Sequence, residues 1–331
     1  MKYRQLEKTG FRVGEIGLGC WQLGGDFGPL ASDTADAILQ AATDSGINFW
    51  DTADVYGAGE SERRIGHFSR KPDNLVVATK VGRGSGLYPD GYRCAALRAS
   101  LEDSAQRLGV DTIDLAQLHC VPTEILRQGD IFSWMDELQH SGLIRHYGAS
   151  VETLEEAFMC LEHPGIASLQ IIFNLFRQDA AETLLDAARE KNVGIIVRLP
   201  LASGLLSGKF TRDSRFAESD HRNYNRDGAA FSVGETFGGI PFEKGIELAR
   251  GLTPLLNPSL PETQPGDQAA LALRWILDHP AVSTVIAGAS SPQQIASNVS
   301  ACDLPPIPPS SHRALAAYYR QEVRPHIRGR I

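Results

Sequence analysis

The chain has 331 residues, 42% of them apolar and 22% charged, with a formal net charge of -8. That is the composition of an ordinary globular protein with enough chain to bury a substantial core, in one large domain or two smaller ones. The acidic balance argues against a broad nucleic-acid surface, and no apolar run is long enough to span a bilayer.

Residues 1–14 read as a small hairpin, Tyr3-Arg4-Gln5-Leu6 and Phe11-Arg12-Val13 flanking a turn at Thr9-Gly10. Short apolar runs then alternate with helical patterns. The first run is Ile16 to Cys20, followed by a helix from Ser32-Asp33 with Ala37, Ile38, Ala41 and Ala42 on one face. Ile47 to Asp51 leads to a helix near Ser61, and Leu75 to Lys80 to one over Tyr92 to Leu108. Thr112 to His119 precedes Ile131 to Ser141, and Ile144 to Ser150 precedes Thr153 to Leu161. Ser168 to Asn174 precedes Ala180 to Lys191, and Val193 to Leu199 is the seventh run. The eighth, Val282 to Gly288, leads to Ser291 to Ala301. A Pro-rich connector, Leu304 to Pro309, then reaches a final helix near His312 to Glu322.

Eight strand-then-helix units predict parallel strands, because each crossover helix returns the chain to the same end. In a chain of this length they fit a closed (β/α)₈ barrel with an N-terminal hairpin and an extra C-terminal helix. An open doubly wound sheet is the competitor, but the GxGxxG that such a sheet usually carries after its first strand is missing. No second domain boundary is evident, so residues 1–331 read as one barrel domain. The exception to the rhythm is residues 207–239, rich in Gly, Asp, Arg and Asn, which reads as a lid or clasp. A second Pro-rich segment, Thr253 to Pro265, reads as a joint between two helical pieces.

A barrel places function at the C-terminal ends of its strands. Asp51 and Tyr56 follow the second strand, Lys80 closes the third and His119 the fourth, so the four can meet in one cup. A carbonyl receiving a hydride needs a proton on its oxygen. Phenol, with a pKa of about 10, is a poor acid near neutrality unless a nearby ammonium favours its release. Lys80 can do that for Tyr56, Asp51 can hold Lys80 charged, and His119 can orient the carbonyl. Side chains supply no hydride, so a cofactor must. No second His or acid at ligand spacing supports a metal at His119. The cysteines, Cys20, Cys94, Cys120, Cys160 and Cys302, are odd in number and contain no CxxC. They suit a reducing cytosol, and the start of the chain leads into no apolar signal core, so a cytoplasmic protein is expected.

These residues resemble the aldo-keto reductase superfamily over essentially the whole chain. Phe49 to Gly57, then Gly59-Glu60-Ser61-Glu62 and Ile65-Gly66, is similar to the family's first signature, and Lys80 and His119 complete its tetrad. The resemblance implies a (β/α)₈ barrel that reduces aldehydes or ketones with NADPH, NADH being possible. Tyr56 would then be the general acid, with Lys80 and Asp51 as its tuning pair and His119 as the orienting group. It also implies that Ser150 and Gln170 hold the nicotinamide carboxamide. Arg198, Pro200, Leu201, Ala202, Ser203 and Lys209 would run along the pyrophosphate. Gly288, Ser290, Gln294 and Asn298 would form the adenosine-phosphate site, with Ser290 and Ser291 opening a helix whose N-terminus favours an anion. Trp21, Tyr56 and His119, with Trp50 beside them, are the candidates for the wall of the substrate pocket. The expected partner is a small carbonyl compound, with no nucleic acid and no membrane.

The chain departs from the family pattern in places. Arg198 stands where an aromatic commonly stacks on the nicotinamide, and Val151 where many members have Asn. Gly288 and Gln294 stand where NADPH-selective members often carry Lys and Arg, which leaves Lys209, Arg215 or Arg222 to compensate. The pattern is closest to bacterial-type and potassium-channel-β-like branches. That keeps open a cofactor-binding redox sensor or regulatory subunit with little turnover. An unrelated barrel enzyme using Lys80 as a Schiff-base amine is a third reading.

Overall fold

A computed structural model describes residues 1–84, 86–256 and 265–331, excepting the side chains of 265–267. Two short strands, β1 (Tyr3–Gln5) and β2 (Arg12–Gly14), pair antiparallel across a turn that ends on Gly10, whose φ is 73°. Eight more follow: β3 (Ile16–Gly19), β4 (Phe49–Asp51), β5 (Val76–Val81), β6 (Ile113–His119), β7 (Ile144–Ser150), β8 (Ile166–Ile172), β9 (Gly194–Arg198) and β10 (Val282–Gly288). They close into a barrel in sequence order, with β10 completing the ring against β3, and every pair is parallel. Helices intervene between the strands, as the (β/α)₈ pattern requires.

Side chains alternate across a strand, and that parity sorts the barrel. Phe49, Val76, Ala78, Leu115, Ile196 and Ile286 form one buried cluster with Leu6 and Val13 of the hairpin. Side chains from strands that are not neighbours can meet in this way only inside the ring, so the hairpin plugs its N-terminal mouth. The intervening residues, such as Trp50, Ala116, Ile195, Val197 and Val285, belong to the larger cluster shared with the surrounding helices. Moving two residues toward the C-terminal end from each apolar interior position reaches Asp51, Lys80, Gln117, Arg198 and Gly288. The interior is therefore apolar at the bottom and polar at the top.

Most predicted elements stand within two residues of where the sequence placed them. The sixth run ends earlier than expected, at Ile172. Asn174 leaves the sheet because it exchanges backbone bonds with Arg177, while its side chain accepts from the Phe176 N–H at 2.8 Å. The helix Thr123–Gln128, separated from Asp130–His140 by Gly129 at φ 85°, was not anticipated. The final helix starts at Pro309 and ends at Tyr318, continuing in a wider turn over Tyr319–Val323. Residues 207–239 hold only the short helix His221–Tyr224 and two single turns. Helix Phe242–Leu256 and helix Pro265–Leu277 flank the segment Thr253 to Pro265, and residues 257–264, on which the expected joint falls, lie outside the described residues. Among the described residues no helix is long and apolar enough to cross a membrane.

Candidate active site

The polar top of the barrel opens into a cavity of about 1200 Å³. At one end Asp51, Tyr56 and His119 face it; Lys80 lies just behind, 1% exposed. The Lys80 ammonium donates to Asp51 Oδ1 at 2.5 Å, to the Thr52 carbonyl at 2.9 Å and to the Tyr56 hydroxyl at 3.2 Å. The rings of Tyr56 and His119 meet edge to face at 6.0 Å. All four predicted tetrad residues are thus brought together.

Local chain geometry makes this possible. Thr52 leaves β4 with its hydroxyl bonded to Ser61, which in turn donates to the Cys20 carbonyl at 2.8 Å. Gly57, at φ 57°, then turns the chain back, and a Cβ there would lie 2.2 Å from the Gly24 carbonyl oxygen. The loop bearing Tyr56 and the turn bearing Trp21 are in backbone contact, and the Trp21 ring stacks on Tyr56 at 5.8 Å.

Burial and the neighbouring charges set which of these groups hold protons. Burial pushes the Tyr56 phenol up to about 12, although the Lys80 ammonium opposes it, so the hydroxyl keeps its proton at neutral pH. Burial alone would lower Lys80; Asp51 and Tyr56 outweigh it and hold the ammonium above its ordinary value. His119 is driven well below its ordinary value by burial and by Arg83, Lys80 and Arg198, so its imidazole is neutral. Its Nδ1 is buried without a hydrogen-bond partner among the described residues.

Ser150 and Gln170 sit beside the tetrad and are bonded to each other and to Asp51. Gln170 Nε2 donates to Asp51 Oδ2 at 2.7 Å, and Gln170 Oε1 accepts from Ser150 at 3.1 Å. Gln117, which the sequence reading missed, donates to the same Asp51 Oδ2 at 2.9 Å. Its signal was available: it lies two residues before His119 and shares its strand parity.

The cavity continues past Arg198, Pro200, Leu201, Ser203 and Lys209 to Gly288, Ser290, Gln294 and Asn298. Ala202 is the exception among the predicted contacts. It is fully buried, because left-handed backbone at Leu199 (φ 51°), Ala202 (φ 46°) and Ser203 (φ 55°) turns it away. Trp50 also lies off the cavity; its parity opposes that of Phe49 and Asp51, and it packs outward on Phe68 at 5.9 Å. Trp21 does line the cavity. A Cβ at Gly288 would fall 2.1 Å from Gln22 Nε2, so the Gln22 carboxamide fills the space a side chain at 288 would take. Of the loop arginines, Arg215 is exposed and off the cavity. Arg222 lines it, but its guanidinium is committed to Asp220 at 2.5 Å and stacks on Phe216.

Residues 207–239 fold back onto this site. The His221 ring packs on Trp21 at 4.6 Å and on Phe27 at 4.4 Å, and the His221 backbone N–H donates to the Asp26 carbonyl. Glu235 lies between Arg83 and Arg198, 3.2 Å and 3.3 Å away, while Arg83 also reaches Glu152 at 2.6 Å. Burial alone would raise the Glu235 carboxyl, but the two guanidinium groups outweigh it and hold it at about 2, below the ordinary 4.5. A depressed carboxyl stabilises the fold above its unfolded value and ceases to as pH falls through its folded one. Glu235→Gln is therefore expected to unfold at lower temperature than wild type near neutrality. The gap should narrow between 4.5 and about 2, as scanning calorimetry across that range would show.

A dinucleotide fits what is present. The cavity exceeds the range of about 300–1,000 Å³ typical of one small ligand. It runs from the tetrad to the N-terminus of helix Pro292–Val299, where backbone N–H groups favour an anion. Arg198 Nε, buried at the cavity wall, has no hydrogen-bond partner among the described residues.

Comparison with known proteins agrees with this geometry. The chain is 30% identical to aldo-keto reductase YhdN of Bacillus subtilis over 303 residues, covering 89% of this chain and 87% of that one. It is 29% identical to a probable voltage-gated potassium channel subunit beta of Oryza sativa, over 93% of each. Among solved structures it matches an aldo-keto reductase from Klebsiella pneumoniae in complex with NADPH, with a TM-score of 0.66 and 25% identity over 96% of this chain and 95% of that one. The profile of the Aldo/keto reductase family matches residues 15–320, and the chain belongs to that family.

Proposed function

We propose that this protein reduces an aldehyde or ketone to the alcohol, using NADPH and, with less discrimination than its charged relatives, NADH. The observation that carries the reading is the Tyr56 hydroxyl, open to the cavity and 3.2 Å from an ammonium that Asp51 holds at 2.5 Å. A bound nicotinamide supplies the hydride to the carbonyl carbon. Tyr56 gives its proton to the carbonyl oxygen, Lys80 stabilises the phenolate left behind, and neutral His119 orients the carbonyl without competing as an acid. Ser150 keeps a hydroxyl lone pair, and Gln170 a carbonyl lone pair, toward the nicotinamide amide. Ser203 and Lys209, with Ser290 and Asn298, line the arm that would take the phosphates, and residues 207–239 act as the clasp over it. Trp21 and Phe27 give the substrate an aromatic wall. The raised Lys80 ammonium argues against a Schiff-base amine, which must be neutral to attack.

Purified protein titrated with NADPH and NADH by fluorescence, then assayed for aldehyde-dependent cofactor oxidation, tests the reading. Tight binding with negligible turnover across aromatic and aliphatic aldehydes would favour the regulatory-subunit alternative, for which the resemblance to channel β subunits speaks. Cofactor choice has its own test. Lys209 is the lysine on the phosphate arm of the cavity. Lys209→Met is expected to weaken NADPH binding roughly fivefold, the scale of one exposed ion pair, and to leave NADH binding unchanged. Equal weakening of both would assign Lys209 to the shared pyrophosphate instead.

A further inference from the structure

Asp51 is more heavily solvated by protein than a simple salt bridge needs. Oδ1 takes the Lys80 ammonium at 2.5 Å, and Oδ2 takes two amide donors, Gln117 at 2.9 Å and Gln170 at 2.7 Å. Gln170 Nε2 also approaches Gln117 Oε1 at 3.3 Å, which fixes both amides with their nitrogens toward the carboxylate. Gln117 is fully buried and does not line the cavity, so it cannot meet substrate or cofactor. Two residues earlier the same strand face carries Leu115. An apolar side chain would pack in that interior without the cost of burying an amide.

We infer that Gln117 is a positioning residue that keeps the proton on Lys80. In a dry interior a carboxylate and an ammonium in contact can neutralise each other: one Lys80 N–H bond breaks and an Asp51 O–H bond forms. The result is an uncharged amine beside Tyr56, and the cation that favours phenolate is gone. Each N–H donated to Asp51 Oδ2 stabilises the carboxylate and opposes that transfer. Gln117 does this from behind the site, whereas Gln170, at the cavity wall, shares its amide between Asp51 and the cofactor arm. This inference rests on Tyr56 being the proton donor.

The test uses the full-length protein, Gln117→Met and Gln117→Glu, with alcohol oxidation by NADP⁺ followed across pH. In Gln117→Met, kcat is expected to fall roughly tenfold, the scale of one hydrogen bond to a charged group. The ascending alkaline limb, which reports Tyr56 ionising, should move to higher pH, while the NADPH Kd and the KM for cofactor stay within about twofold. In Gln117→Glu the protonated acid still donates to Asp51, so turnover approaches wild type at low pH. It collapses as Glu ionises beside a second carboxylate, adding a descending limb that wild type lacks. Wild-type pH profiles in both variants, with only the unfolding midpoint lowered, would overturn the inference and leave Gln117 a core residue. A second measurement stands apart from turnover. In the Asp51→Asn background, Gln117→Met should shift the denaturation midpoint less than in wild type, and additive shifts would overturn the inference equally. If wild type turns over no carbonyl or alcohol, the reductase reading fails and this cycle alone decides whether Gln117 acts through Asp51.

Discussion

Tyr56→Phe is expected to lower the turnover number for carbonyl reduction by roughly 10²- to 10⁴-fold, the usual contribution of a positioned general acid. The Kd for NADPH should change by less than about twofold, because only a hydroxyl is lost from a ring that stays stacked on Trp21. Lys80 keeps its bonds to Asp51 and to the Thr52 carbonyl, so the fold should survive. The phenol's pKa of about 12 adds a sign to the result. The proton is in place throughout the range below it, so wild-type reduction should show no acidic loss from Tyr56, and neutral His119 adds none near its ordinary value. Comparable kcat in Tyr56→Phe would remove Tyr56 from the acid role; a large rise in Kd would make it a binding residue instead.

The second large effect is on stability. Lys80→Met removes the cation from a pair whose side chains are 1% and 2% exposed. Asp51 remains buried with only its two amide donors, and breaking such a pair from one side costs about 3–5 kcal/mol. Activity falls with it, because nothing is left to stabilise the phenolate. Asp51→Asn in the same chain should return part of the lost stability, because the orphaned charge is removed. Chemical denaturation of the two single variants and the double gives the coupling directly. Effects that add to within a few tenths of a kcal/mol would show that the two groups do not depend on each other.

The tetrad was legible because three of its members stand at or beside the C-terminal ends of successive strands and their side chains share a parity; once a barrel is expected, the rim follows. The same rule, applied fully, would have found Gln117 and would have rejected Trp50, which sits between two inward residues and so must face the helices. Other features were beyond such reading. Arg83 and Glu235 are 152 positions apart and meet only because residues 207–239 return across the rim. No local pattern encodes that path. Ala202 was misplaced because a run of left-handed backbone at non-glycine residues inverts which side chains face the cavity, and composition does not announce it. Gln170 was found, but its partner was not: its amide nitrogen is turned to Asp51, a contact set by the closing of the ring from β4 across to β8.

That ring closure divides labour along the chain. Phenol, ammonium, carboxylate, imidazole and the Gln117 amide all come from β4 to β6 and the loop after β4, before residue 120. Ser150, Arg198, Lys209, Gly288 and Asn298 all come later. Gln170 is, among the described residues, the amide from the later half that grips the earlier half's carboxylate. A chimera joined between β6 and β7 would therefore inherit its acid–base apparatus from one parent and its phosphate arm from the other, with compatibility at position 170 as the condition for both to work together.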